Sequence, residues 1–112
     1  MKQISYEEFK ETKIYQAFSP YMRLLTGLFF LDSKNNGFTF SELEEKLKGE
    51  LSTEQLSKAL DIGSDTTEIT ERDSERKGFY VRTYHLANLG RFGLDGFVKL
   101  LSEARASKLE SR

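Results

Sequence analysis

Apolar residues recur along this chain in two different periods, and the changes of period divide it into parts. Tyr21, Leu24, Leu25, Leu28, Phe29 and Leu31 follow one another at helical spacing and form a broad surface, which predicts the most buried helix. Ser19-Pro20 before it is a favoured cap followed by a favoured first helical residue, and Asp32-Ser33-Lys34-Asn35-Asn36-Gly37 after it has strong turn chemistry. Upstream, Ser5-Tyr6-Glu7-Glu8 matches a capping box and predicts a helix from about Tyr6 to Phe18, with Phe9, Ile14 and Phe18 inward. Downstream, Phe38-Thr39-Phe40 reads as a short extended piece. Ser41 then caps a helix to about Lys48 with Leu43 and Leu47 inward. After a turn at Gly49-Glu50-Leu51, Ser52-x-x-Gln55 is a second capping box. It opens a helix with Leu56, Ala59 and Leu60 inward, which ends near Ile62-Gly63.

From Ser64 the period becomes two. Thr66 to Arg72 alternates with Ile69 inward, Asp73 to Gly78 reads as a charged tip, and Phe79 to Leu86 has strand composition. Asn88 to Gly93 reads as a loop. Leu94, Phe97, Val98, Leu101 and Ala104 then return to helical spacing, and the polar end from Ser107 is expected to fray. The predicted fold class is mainly α with a small β-hairpin. It is one α+β domain over residues 1–106, with a helix-turn-helix at about 41–62, a wing at about 66–86, and additional N- and C-terminal helices.

Composition narrows the chemistry. The 112 residues suit one domain, and nine Phe with five Tyr can supply its core. No Cys and a single histidine, His85, leave no thiolate or histidine metal site and no cysteine nucleophile, so neither metal nor cofactor is expected. The Asp32 loop resembles an EF-hand only in part: Lys34 and Leu43 stand where ligand oxygens are needed. No constellation suggests an enzyme. No apolar run approaches a membrane span and the start has no signal-peptide core, so a cytoplasmic location without membrane contact is expected.

The net charge is −1, which carries no global nucleic-acid signal. Its distribution is uneven: residues 41–71 hold three Lys/Arg against nine Asp/Glu, and residues 72–112 hold nine against five. On the second helix of the pair, an inward Leu56 and Leu60 leave Glu54, Gln55, Ser57, Lys58 and Asp61 outward. Thr53, Gln55, Ser57 and Lys58 are the candidate DNA-binding residues of this recognition helix. Arg72, Arg76, Lys77 and Arg82 are those of the wing.

The stretches Gly37-Phe38-Thr39-Phe40-Ser41-Glu42-Leu43 and Leu51-Ser52-x-x-Gln55-Leu56-Ser57-x-x-Leu60 resemble the helix pair of bacterial and archaeal winged-helix regulators. Tyr84-x-Leu86-x-x-x-Gly90 is similar to the strand exit of MarR, PadR and ArsR-type repressors, with Ala87 where those have Thr. The whole chain also resembles small winged-helix proteins of spindle-shaped viruses of hyperthermophilic archaea. The resemblance implies a winged helix-turn-helix transcriptional regulator acting in the host cytoplasm. It places recognition on Thr53 to Lys58 and backbone or minor-groove contact on the wing. The expected function is sequence-specific binding of double-stranded DNA, with the recognition helix in the major groove. The alternative is a winged-helix protein-protein interaction module that does not bind DNA. A homodimer through the N- and C-terminal helices, with the Leu94–Leu101 stripe against its counterpart or its own chain, is left open.

Overall fold

A computed structural model describes the backbone of residues 3–110 and the side chains through residue 105. The described residues form six helices and one two-stranded antiparallel hairpin: α1 Tyr6–Lys10, α2 Lys13–Gln16, α3 Pro20–Leu31, α4 Phe40–Lys46, α5 Thr53–Thr66, β1 Ile69–Arg76, β2 Phe79–Leu86 and α6 Asn88–Glu110. This is a mixed α+β architecture. None of the described helices is long and apolar enough to cross a membrane.

Side-chain capping fixes most helix starts. Ser5, Ser19 and Ser52 accept from the amides of Glu8, Met22 and Gln55, and the boxes of α1 and α5 close through Glu8 and Gln55. The first departures from expectation lie in the N-terminal helix and in α4. The N-terminal helix is split, because the Thr12 hydroxyl donates to the Phe9 carbonyl and accepts from the Tyr15 amide, ending α1 and starting α2. The next departure is at α4, where Thr39, not Ser41, is the cap and Glu42 completes its box. Both Thr39-x-x-Glu42 and Ser41-x-x-Glu44 fit the pattern, and the earlier start leaves Leu43 and Leu47 buried.

α3 runs through the middle of the core. Leu24, Leu25 and Leu28 on it are buried with Phe9 and Tyr15 from the N-terminal helices, Leu43 and Leu47 around the end of α4, Leu56 and Leu60 of α5, and Leu86 of β2. Burying each such side chain contributes about 1.5–3 kcal/mol. The Glu50 carboxylate, in the turn between α4 and α5, accepts from the Tyr15 hydroxyl at 2.9 Å and lies 3.8 Å from both Lys10 and Arg23. The N-terminal helices are thereby tied to the helix pair.

α6 starts at Asn88, where a loop was expected. Gly90 is a packing residue: a Cβ there would lie 3.0 Å from Leu86 Cδ1. The glycines that suggest a loop therefore sit inside a helix held down by Leu94 and Val98, both buried. Phe97 packs edge-on to Phe9, and the Ile4 amide donates to the buried Ser102 hydroxyl at 2.9 Å. The Leu94–Leu101 stripe is thus used within its own chain. The helix continues through 107–110, the segment expected to fray, while residues 111–112 lie outside the described ones.

Candidate nucleic-acid interface

α5 follows α4 across the Lys48–Ser52 turn and extends beyond its expected end to Thr66. Thr67 then closes it in the left-handed conformation (φ 61°). Leu56, Ala59, Leu60 and Gly63 line its buried side. Glu54, Lys58, Asp61 and Asp65, spaced four, three and four residues apart, lie on the opposite side and are exposed. Lys58 is the only basic residue in α5. The outward face of the expected recognition helix is therefore acidic, more so than anticipated, because the helix runs on to include Asp65.

The candidate residues on α5 are all exposed, but two are partly engaged. The Thr53 hydroxyl donates to Glu44 Oε2 at 2.8 Å. Gln55 Oε1 accepts from the Ser52 amide at 3.0 Å as part of the capping box. Gln55 and Lys58 also flank a shallow apolar groove against Pro20, Tyr21 and Ile62. Beside it the Tyr21 hydroxyl donates to Glu68 at 2.7 Å, and burial first, then the Glu68 carboxylate, pushes its pKa up to about 12.

The hairpin pairs Ile69 with Leu86 at its base and Arg76 with Phe79 at its end. Asp73 to Arg76, expected in the tip, are strand residues; the tip is only Lys77-Gly78. Both have positive φ (53° and 85°), as a two-residue turn matching strand twist requires. Side chains alternate across the sheet, and here the alternation separates charge. Glu71, Asp73 and Glu75 project on one face with their partners Tyr84, Arg82 and Tyr80; Arg72, Ser74 and Arg76 project on the other with Thr83, Val81 and Phe79.

The two faces look toward different neighbours. Glu71 accepts from the Ser64 hydroxyl of α5 at 2.9 Å and pairs with Arg82 at 3.2 Å, so the acidic face adjoins the acidic helix. The basic face adjoins the Asp32–Gly37 loop. Arg76 Nη2 donates to the Gly37 carbonyl at 3.2 Å and reaches that of Asn36 at 3.5 Å. Next to it His85 Nδ1 lies 3.2 Å from the Asn35 carbonyl, and His85 Nε2 lies 2.7 Å from the Thr83 hydroxyl. A neutral ring donating from Nδ1 and accepting at Nε2 satisfies both. Burial holds the His85 pKa below its usual value, against the pull of the Asn35 hydrogen bond. Gly37 has φ 79°, and any Cβ on it would come within 2.3 Å of the imidazole. The loop itself is fixed by Asp32, whose carboxylate accepts from the Asn36 and Gly37 amides at 2.9 and 2.8 Å. This is the work Asp32 does here; the described residues contain no cluster suited to a metal ion.

The four wing cations are therefore not equivalent. Arg76 is half-buried and anchors the hairpin to the loop, and Arg82 is paired with Glu71 on the acidic face. Arg72 and Lys77 are exposed and, among the described residues, enter no ion pair. Phe79 and Tyr80 are 73% and 78% exposed beside the tip, so Tyr80, for which the strand composition suggested core packing or base stacking, is not a core residue. The signal for them was the length of the hairpin: burial along β2 fades from Leu86 toward Phe79 because the strands outrun the core.

A last strand-like contact joins the parts. Phe38 and Tyr84 exchange backbone hydrogen bonds, Phe38 N to Tyr84 O at 3.1 Å and Tyr84 N to Phe38 O at 2.8 Å, as an isolated antiparallel bridge. The extended piece before α4 is thereby laid against the hairpin. No protein-family model matches the chain, and no curated protein or solved structure matches it either.

Proposed function

We propose that the chain is a winged helix-turn-helix protein that binds double-stranded DNA mainly through the basic face of its wing and acts as a transcriptional regulator. The winged-helix reading rests on the order α3, Phe38 bridge, α4, turn, α5, hairpin, in which the bridge takes the place of a third short strand. The observation that carries DNA binding is the charge separation in the hairpin. Arg72 and Arg76 share a face, Lys77 occupies the tip beside them, and the neighbouring acids point the other way. A phosphate backbone meeting that face avoids the repulsion it would meet on α5. On this reading α5 contributes through the Gln55 amide and Ser57, which flank its acidic face, and through Lys58, the one cation on that face, and the wing holds the backbone or minor groove.

A second reading, a protein-interaction module without DNA binding, is favoured by one observation: Glu54, Asp61 and Asp65 outnumber the one cation among them, Lys58, on the outward face of α5, and Glu71 adjoins that helix. Such a face suits a basic partner surface.

Duplex binding followed by fluorescence anisotropy over a range of salt separates the two. On the DNA reading, replacing Arg72 and Lys77 together by Gln weakens binding to all sequences and lowers the slope of log K against log salt by roughly 2. Replacing Glu54, Asp61 and Asp65 by their amides strengthens duplex binding. If the wing variant leaves affinity and slope unchanged, the DNA reading fails.

A further inference from the structure

Between Leu89 and Leu100 one side of α6 carries an apolar, uncovered ridge, bordered by the exposed Lys99 and Glu103. Leu89, Phe92 and Leu100 are 73%, 83% and 65% exposed, and Gly93 and Gly96 lie between them with nothing within 4 Å of where a Cβ would stand. At 3.6 residues per turn these five residues fall on roughly one third of the helix circumference. The buried stripe of the same helix, Leu94 and Val98 with the half-buried Phe97 and Leu101, lies on the other side and is already used. A shallow groove flanks the exposed ridge on each side, one bounded by Phe29 and Phe30, the other by Met22 and Leu25.

We propose that this ridge is a homodimer interface, in which α6 packs antiparallel against α6 of a second copy about a two-fold axis between residues 94 and 95. The spacing along the ridge is self-complementary under that operation. Leu89 of one copy faces Leu100 of the other, and Gly93 faces Gly96, so each pair occurs twice, as an isologous contact requires. The bare backbone at Gly93 and Gly96 lets the helices approach closely, and the Phe92 ring of one copy lies over Gly96 of the other. Area supports the same occupant. At roughly 150–250 Å² for an aromatic side chain and less for Leu, the exposed parts of Leu89, Phe92 and Leu100 present on the order of 300–400 Å². That is on the order of half of the roughly 800 Å² per partner in a standard interface, and the adjoining groove walls extend it along a helix about 34 Å long. Contiguous exposed apolar surface of several hundred Å² marks interaction sites on otherwise polar monomers.

The interface is independent of the wing and of the DNA reading. Its test is sedimentation equilibrium of the full chain across the micromolar range, with two substitutions at Gly96. The wild-type chain should double its mass with concentration. Gly96→Arg should weaken self-association by roughly 30-fold or more while leaving the circular dichroism spectrum of the monomer unchanged, since a side chain there meets nothing within its own chain. Gly96→Ala guards against misfolding as the cause: it should raise the melting temperature of the dilute monomer, because Ala favours helix over Gly, yet still weaken association. A chain that stays monomeric at every concentration, or dimers indifferent to both Gly96 variants, would overturn the proposal. The arrangement has its own readout because the chain contains no cysteine. Leu89→Cys mixed with Leu100→Cys should form the mixed disulfide on oxidation, whereas predominant Leu89→Cys self-crosslinking would contradict the antiparallel register.

Discussion

α5 and the hairpin are the two parts of the proposed binding unit, and they treat charge in opposite ways. In α5 the helical period gathers the acids Glu54, Asp61 and Asp65 on the outward face with one lysine among them. In the hairpin a period of two takes a mixed run, Glu71 to Arg76, and sorts it: three acids on one side, two arginines on the other. Both elements carry three acids, but α5 has Lys58 alone beside them while the hairpin has Arg72, Arg76, Lys77 and Arg82. The nucleic-acid surface therefore depends both on how many cations an element carries and on the period that sorts them from the acids.

The comparison can be broken first at the core. Leu60→Ala, on the buried side of α5, should cost about 2–5 kcal/mol by the cavity it leaves, whereas Asp61→Asn on the outward side should stay within about 0.5 kcal/mol. Denaturant unfolding measures both, and an equal cost at the two positions would mean that the acidic face is not solvent-exposed. Within the wing, Arg76 and Lys77 sharpen the contrast between adjacent cations. Arg76→Ala strands the carbonyls it serves in the Asp32–Gly37 loop and should lose about 1–3 kcal/mol of stability. Lys77→Ala should leave stability nearly unchanged and lower duplex affinity.

The smallest effect is a pH dependence. The folded pKa of His85 is depressed, so the unfolded chain takes up this proton first as pH falls. The stability due to neutral His85 is present above the unfolded pKa of about 6.5 and is lost as pH falls through the lower folded value. Thermal melts between neutral and mildly acidic pH should show this decline, and His85→Gln should flatten it. A decline of equal size in that variant would assign it to the carboxylates instead.

Much of this was legible in the sequence because capping is local chemistry. Ser5, Ser19 and Ser52 announce their helices through hydrogen bonds made within three residues. The inward Leu43, Leu47, Leu56 and Leu60 follow from period alone. What was not legible depended on distant partners. Asp73 to Arg76 look like a turn until their pairing with Phe79 to Arg82 is known. Gly90 looks like a loop residue until Leu86 is seen beneath it. Arg76 looks like a free cation until Gly37, distant in the chain, brings its carbonyl to the guanidinium. Of the eight candidate contacts all but Arg76 are exposed, and the separation of Arg72 from Glu71 onto opposite faces follows from the strand period alone.

The central claim is that the wing, and not the outward face of α5, meets DNA. Amide chemical-shift mapping of the labelled chain during titration with a short duplex tests it residue by residue. The largest shifts are expected at Arg72, Arg76, Lys77, Gly78 and Phe79, with smaller ones at Gln55 to Lys58 and none at Asp61 or Asp65. Shifts centred on Glu54 to Asp65 with a silent wing, or no shifts anywhere at saturating duplex, would contradict it.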